Sequence, residues 1–143
     1  MKRLIYFACL SFVCVESARA TTPDPGVFGR GQWKDEAYAV KPASTHISSG
    51  RWDPEKGITP LSVPDAVSKA RDGLRKMVGN DHVRFECDEI KLSRSGGMWF
   101  YVIVFFSRDP KIITKGSVGV FPAILPFIVY LDGVVEFPHK TKL

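Results

Sequence analysis

Cysteine is scarce in this chain of 143 residues, and its placement excludes a disulfide framework. Of the three cysteines, Cys9 and Cys14 lie within the first 20 residues, and only Cys87 comes later. A fold stapled by disulfides needs paired cysteines in the part of the chain that folds. We therefore expect one domain held together by its hydrophobic core, for which about 120 residues are enough.

Histidine is equally scarce, and the common catalytic signatures are missing. His46, His82 and His139 share no metal-ligand spacing and no cysteine joins them, so we predict no metal and no cofactor. The chain also lacks the G-x-S-x-G elbow, the P-loop and the Rossmann glycine pattern. Our first expectation is a protein that is not an enzyme.

The apolar run at the start of the chain is too short to cross a membrane. It covers about a dozen residues, 4–15, whereas a spanning helix needs about 20. The basic residues 1–3 precede it and the small-residue pattern Ala-Arg-Ala at 18–20 follows it, as in a secretory signal peptide. We predict a signal peptide over residues 1–20, cleavage after Ala20, a secreted or periplasmic location, and no stable membrane span thereafter.

The net charge is mildly positive. The full chain has 20 basic and 15 acidic residues, and removal of the predicted signal peptide leaves 17 and 14, a net charge of +3. A nucleic-acid partner calls for a clustered basic face, which such a balance does not indicate. We predict no nucleic-acid partner.

What the sequence does contain is a stretch of nine consecutive apolar residues, 98–106. β-Branched and aromatic types dominate it, which favours a strand over a helix. Successive side chains of a strand point to opposite faces, and here neither set is polar. We expect a central strand that needs cover on both faces, with Trp99, Tyr101, Ile103 and Phe105 on one of them.

Residues 62–79 carry the clearest helix pattern. Ser62 and Asp65 are placed as in a capping box, and Pro64 lies in the first turn, where its missing N–H does no harm. Apolar residues then recur at helical spacing as far as Gly79, a typical helix stop.

Residues 83–94 predict a second strand. Their apolar and polar side chains alternate, and a slip in the alternation predicts a β-bulge near Asp88 and Glu89. The glycine-containing turn at 93–97 then leads into the central strand, so the two strands should pair antiparallel. For residues 112–120 we expect an irregular loop.

The end of the chain predicts two more strands. Pro122 and Pro126 indicate that the first half of the apolar stretch 121–131 lies at an edge or a bulge, because proline cannot donate to a central ladder. The Asp-Gly pair at 132–133 is a favoured two-residue hairpin turn, after which residues 134–137 return as a short last strand.

Together these elements predict an α+β fold. One main helix packs on an antiparallel sheet of about four strands. We place this domain at residues 62–138 and a short basic tail at 139–143.

Residues 21–61 predict an extended N-terminal arm. Proline and glycine punctuate this stretch so closely that we expect no helix or long strand in it. It also carries scattered aromatic residues, which disordered tails lack. We expect the arm to dock from about Trp33 onward and its aromatics to cover the second face of the central strand. A linker with incidental aromatics is the alternative.

Aromatic side chains and two carboxylates are the candidate binding residues. An aromatic set can line a groove for a sugar or a peptide, although aromatics are more common in cores. Carboxylates at a bulge are re-aimed and often lie near functional sites, although solvated carboxylates on an outer strand need no function. The candidates are Trp33, Trp52, Asp88, Glu89, Trp99 and Tyr101.

Two weaker candidates belong to a small hydrolase. Cys87 can act as a nucleophile only if the fold brings a base and an orienting group to it, and a buried, inert thiol is the other interpretation. Asp81 and His82, with Glu86, form either a weak proton-transfer or metal group or an ordinary polar loop.

The order of these features resembles small secreted bacterial proteins of unassigned function and, more distantly, PepSY-type and cystatin-like α+β modules. The likeness covers residues 61–137. The resemblance implies a module that restrains a peptidase or acts in periplasmic sensing or binding, with no active-site motif to carry over. It rests on the stretches Pro64-Asp65-Ala66-Val67-Ser68-Lys69-Ala70, Trp99-Phe100-Tyr101-Val102-Ile103-Val104-Phe105 and Tyr130-Leu131-Asp132-Gly133-Val134-Val135.

Three functions follow from the sequence. The first is an exported, non-enzymatic module that binds a protein, a peptide or an envelope component through its sheet or its arm. The second is a structural homo-oligomer whose sheet faces pack together. The third is a small hydrolase that uses Cys87 or the Asp81–His82 group. An open apolar second face would mark an interaction site, whereas a covered one favours a self-contained domain.

Overall fold

A computed structural model describes residues 26–43, 46, 52–112, 114–116 and 119–142. The predicted signal peptide, residues 1–20, lies outside the described residues. The elements in chain order are β1 (Gly29–Trp33), β2 (Glu36–Val40), α1 (Val63–Val78), β3 (Glu86–Ser95), β4 (Met98–Ser107), β5 (Thr114–Gly116), β6 (Gly119–Phe121), β7 (Ala123–Tyr130), β8 (Val135–Glu136) and β9 (His139–Thr141).

An antiparallel sheet forms the body of the domain. Its strands lie in the order β3-β4-β7-β1-β2-β9, and β8 pairs with β7 beside this path, so the described residues contribute seven strands. The predicted α+β class, the antiparallel sheet and the interior position of the strand at 98–106 are confirmed. The expected number of about four strands is too low, because β1, β2 and β9 come from segments predicted to be an arm and a tail.

Helix α1 begins and ends where its capping residues predict. The Ser62 Oγ accepts a hydrogen bond from the backbone N–H of Asp65 at 3.2 Å and donates to its carboxylate at 2.6 Å. Gly79 follows the last turn with a φ of 61°, which glycine adopts without strain. The buried face of the helix consists mostly of small residues, namely Ala66, Ala70, Gly73, Leu74 and Val78.

This small-residue face packs on β4 and β7 and forms the main core. At Gly73 the approach is close, since an added Cβ would lie 3.2 Å from Val135 Cγ1 and 3.4 Å from the Phe127 ring. Phe127 in turn makes an edge-to-face contact with Phe105, with ring centroids 5.9 Å apart. Truncating one buried aromatic of this kind to alanine costs about 3–5 kcal/mol.

The opposite face of β4 is covered by the chain on either side of the β1–β2 hairpin. Phe28 lies edge-to-face on Phe100 at 5.0 Å. His46 stacks on Tyr130 at 3.7 Å, and the backbone N–H of Ala43 donates to the Tyr130 hydroxyl at 2.8 Å. On this face Phe100 and Val102 are buried, whereas Met98, Val104 and Phe106 are half-buried, so the second face is covered in part.

The arm docks with a different set of aromatics from the one expected. Phe28 covers the second face, whereas Trp33 and Trp52 pack against the helix-side core. The stretch 21–61, expected to hold no helix or long strand, contains two five-residue strands, β1 and β2, which pair over their whole length.

The β1–β2 hairpin escaped prediction because its turn is unusual in composition. Lys34 and Asp35 both adopt positive φ angles, 50° and 63°, as a two-residue loop that matches strand twist requires. Lysine is not a residue that favours this conformation, so the turn carries no glycine or asparagine signal. The prolines that argued against strands all fall outside residues 26–41.

Two glycines let β1 cross close to β7. A Cβ added at Gly31 would lie 2.1 Å from the carbonyl oxygen of Ile124, and one at Gly29 would lie 2.5 Å from Pro126 Cβ. Real side chains never approach backbone so closely, so this contact requires glycine.

Strand β7 is interior despite its prolines, which corrects the expectation of an edge. On the side away from β4 its neighbour changes at Pro126: β1 pairs at Ile124, and β8 pairs at Ile128 and Val129. No pair in the register on that side falls on Pro126, so its missing N–H is tolerated. The β-bulge predicted near Asp88 is confirmed by a register shift between Cys87 and Glu89.

Two local expectations are wrong, and the short basic tail takes part in the sheet. Residues 139–141 of this tail form β9 on β2. The loop expected at 112–120 contains β5 and β6, which pair as a separate two-stranded sheet. The last hairpin turn has three residues rather than two, with hydrogen bonds from Tyr130 N–H to the Val134 carbonyl and from Gly133 N–H to the Tyr130 carbonyl.

Replacement of Gly31 by alanine should destabilise the domain. The added methyl group meets the rigid backbone of β7, and overpacking of this kind costs about 1–3 kcal/mol. The Arg30→Ala variant is the matched control, because Arg30 is exposed on the same strand and should change stability by no more than about 0.5 kcal/mol. Urea unfolding measures both, and equal midpoints would contradict the close approach of β1 and β7.

Candidate functional site

A cleft of about 530 Å³ lies between the end of α1 and the part of the sheet formed by β1, β2 and β9. Strands β1 and β2, the last turns of the helix and the segment that enters β9 each contribute one wall. The lining residues are Trp33, Glu36, Tyr38, Lys76, Met77, Phe137, Pro138, His139 and Lys140.

The floor of the cleft is apolar and is held by the main core. Trp33, Met77 and Phe137 all pack against the core cluster, and the Phe137 ring lies edge-to-face on Phe127 at 5.9 Å. The indole N–H of Trp33 is buried without a hydrogen-bond partner among the described residues, so the ring offers apolar surface rather than a donor. The ammonium of Lys34 lies 4.5 Å from its centroid.

Glu36 connects the two strands at the rim. Its Oε1 accepts from Lys140 Nζ and its Oε2 from the Tyr38 hydroxyl, both at 2.7 Å. These bonds, that of Lys140 first, hold the pKa of Glu36 below its usual range. Burial, followed by the bond to Glu36, raises the pKa of Tyr38 from 10.0 to about 12. Both carboxylate oxygens of Glu36 thus have a hydrogen-bond partner within the protein.

Two lysines of α1 bring positive charge to the region around the cleft. Within the described residues, neither Lys69 nor Lys76 makes an ion pair or a hydrogen bond. The acidic neighbours are already occupied, since Glu36 holds Lys140 and Asp72 pairs with Arg75 at 3.2 Å. The surroundings of the cleft are therefore cationic.

A shallower depression of about 300 Å³ continues the cleft along the helix. Both concavities are lined by Lys76 and Phe137. The second one is also lined by Lys69, Asp72, Gly73, Gly133 and Val135. The two form one elongated groove between α1 and the chain from Gly133 to Lys140, with aromatic surface below. Along its helix side lie two lysines and one carboxylate, Asp72, which pairs with Arg75.

The six binding candidates do not form one site. Trp33 lines the cleft. Trp52 and Trp99 contact each other edge-to-face at 5.4 Å, with Arg94 lying over Trp99. Tyr101 is buried, and its hydroxyl bonds the Leu61 carbonyl at 3.1 Å, which gives it a structural role.

The two candidate carboxylates lie on the outer strand β3, and neither lines the cleft. Asp88 occupies the bulge, and Glu89 stands opposite Val104 of β4. Both are exposed.

The hydrolase candidates are engaged elsewhere. Asp81 pairs with Lys34 at 3.6 Å and Arg84 at 3.5 Å, and the His82 Nδ1 lies 2.8 Å from the Gly79 carbonyl oxygen. Burial raises the pKa of the Cys87 thiol, which disfavours the nucleophilic thiolate.

The part of the chain described by the structure shows two further features relevant to ligands. No three or more His, Cys, Asp or Glu side chains gather there in a way that could hold a metal ion. No helix there combines the length and the apolar character needed to cross a bilayer.

Sequence reasoning missed most of the cleft. Met77 and Lys76 fit an ordinary amphipathic helix, and residues 137–140 fit a terminal tail. The available signal was the stretch from Glu36 to Val40, in which larger side chains alternate with alanines.

Alkaline pH should destabilise the protein through Tyr38. A tyrosine whose pKa is higher in the folded state contributes stability that is complete below pH 10 and is lost as pH rises toward about 12. Across this pH range, the free energy of unfolding of the Tyr38→Phe variant should fall by roughly 2 kcal/mol less than that of the native protein. Urea unfolding at a series of pH values measures the difference.

The Glu36→Gln variant supplies the control, because it keeps the tyrosine and removes the charged acceptor. Its free energy of unfolding should fall with rising pH less steeply than that of the native protein and more steeply than that of Tyr38→Phe. An identical pH dependence in all three proteins would mean that Tyr38 titrates as it does in the unfolded chain.

Comparisons of the chain with protein-family models, with curated proteins and with solved structures return no match.

Proposed function

We propose that the protein is an exported, non-enzymatic binding module whose ligand site is the cleft between α1, the β1–β2 hairpin and β9. The observation that carries this proposal is the combination of an apolar, aromatic floor with Lys76 at the rim, which has no ion-pair or hydrogen-bond partner within the described residues. Export is proposed from the sequence pattern of residues 1–20 alone.

The size and chemistry of the cleft suit a ligand. Clefts of roughly 300–1,000 Å³ with mostly apolar walls and a few charged groups are typical of binding sites. Here the apolar walls are Trp33, Met77 and Phe137, and the charged groups are Lys76 and the ion pair of Lys140 with Glu36. A ligand with an aromatic body and a negative charge would match both.

The two alternatives have less support. Packing of open sheet faces into an oligomer needs an uncovered second face, and Phe28 and His46 cover part of that face. A hydrolase needs a base beside Cys87, whereas His82 bonds the Gly79 carbonyl and the thiol pKa is raised.

The aromatic anion anilinonaphthalene sulfonate is a direct probe of the cleft. We expect the natively folded protein to bind it with enhanced fluorescence, and the Lys76→Glu variant to bind it about 10-fold more weakly, because attraction at the rim becomes repulsion. Fluorescence titration measures both affinities, and circular dichroism verifies that the fold is retained.

Lys91→Glu is the matched control, since Lys91 is exposed on β3 and does not line the cleft. It should leave the affinity unchanged. Absence of binding, or equal loss in both variants, counts against the cleft as the ligand site.

A further inference from the structure

Strand β9 is an open edge that borders the cleft. It pairs with β2 through Ala37–Thr141, Tyr38–Lys140 and Ala39–His139, and among the described residues no strand lies on its other side. Such an edge presents backbone N–H and C=O groups to an incoming strand. Its residues His139 and Lys140 also line the cleft, so edge and cleft are contiguous.

The other edge of the sheet is less suited to an added strand. Strand β3 carries a bulge at Asp88 and exposed charges at Glu86, Glu89 and Lys91. Bulges and charges are the features by which proteins protect an edge from pairing. Strand β9 is short and also carries an exposed charge, Lys140, but its pairing with β2 shows no register shift.

We propose, on the basis of the function proposed above, that the cleft takes an extended acidic peptide segment. The peptide adds as a strand to β9 and inserts one aromatic or large aliphatic side chain between Trp33, Met77 and Phe137. In this mode of recognition, backbone hydrogen bonds supply affinity and a pocket for one side chain supplies specificity.

Charge complementarity selects an acidic segment. Lys69 and Lys76 lie seven residues apart on α1, about 10 Å along the helix axis, and neither is neutralised within the described residues. In an extended peptide, side chains two residues from the anchor share its face at a distance of about 7 Å. Carboxylates on either side of the anchor therefore fall within reach of these flexible lysines.

The test uses a fluorescently labelled octapeptide with a central phenylalanine, a glutamate two residues before and after it, and serine elsewhere. Anisotropy measures its affinity for the full chain. Replacing both glutamates with lysine should weaken binding by more than about 10-fold, and replacing the phenylalanine with glycine by a similar factor. N-methylation of two backbone amides beside the anchor removes donors without changing charge and should cost about 3- to 10-fold.

A charge exchange makes the assignment specific to the groove. The Lys76→Glu variant should lose affinity for the glutamate peptide and gain affinity for the lysine peptide, whereas Lys91→Glu should change neither. A preference for the glutamate peptide that survives Lys76→Glu overturns the assignment.

The outcomes separate this inference from the proposed function. If anilinonaphthalene sulfonate binds in the cleft and the peptide does not displace it, the peptide inference is wrong and the binding function stands. If neither probe binds, both proposals fail. If the N-methylated peptide binds as tightly as its parent, strand addition to β9 is excluded.

Discussion

The structure depends on packing other segments of the chain against both faces of strand β4. Its side chains are apolar on both faces, so a single layer of cover would leave several large residues in water at about 1.5–3 kcal/mol each. Helix α1 buries one face, and the chain around the β1–β2 hairpin covers part of the other through Phe28, beside which His46 and Ala43 hold Tyr130. The N-terminal segment is for this reason part of the domain and not an appendage to it.

The candidate site is a consequence of how that segment returns to the sheet. Because Gly29 and Gly31 let β1 approach β7 closely, the hairpin ends with Trp33 beside the last turns of α1. Strand β9 then pairs with β2, and Glu36 ties Lys140 and Tyr38 together at the junction. The contacts that join β1 to β7 and β9 to β2 thus leave an aromatic cleft between these strands and the end of α1.

The distribution of charge separates the two edges of the sheet. Strand β3 carries charges and a bulge along an exposed edge, as expected of an edge that is protected from association. Around β9, the acidic side chains are neutralised internally, while two lysines of the helix are left without partners among the described residues. An unneutralised cationic rim beside an apolar floor is the feature of this molecule that points most directly to a ligand.

The elements that could be predicted from the sequence are those whose signals are local. The capping residues of α1, the uninterrupted apolar character of β4 and the slipped alternation at Asp88 act through neighbouring backbone, so they could be predicted without the fold. Strands β1, β2 and β9 and most of the cleft could not be predicted. They depend on contacts between residues more than 90 positions apart, such as Gly31 with Ile124 and Glu36 with Lys140, and no local pattern encodes such a pairing. The position of the candidate site follows from the tertiary structure, because the cleft forms only where the hairpin, the helix end and the last strand come together.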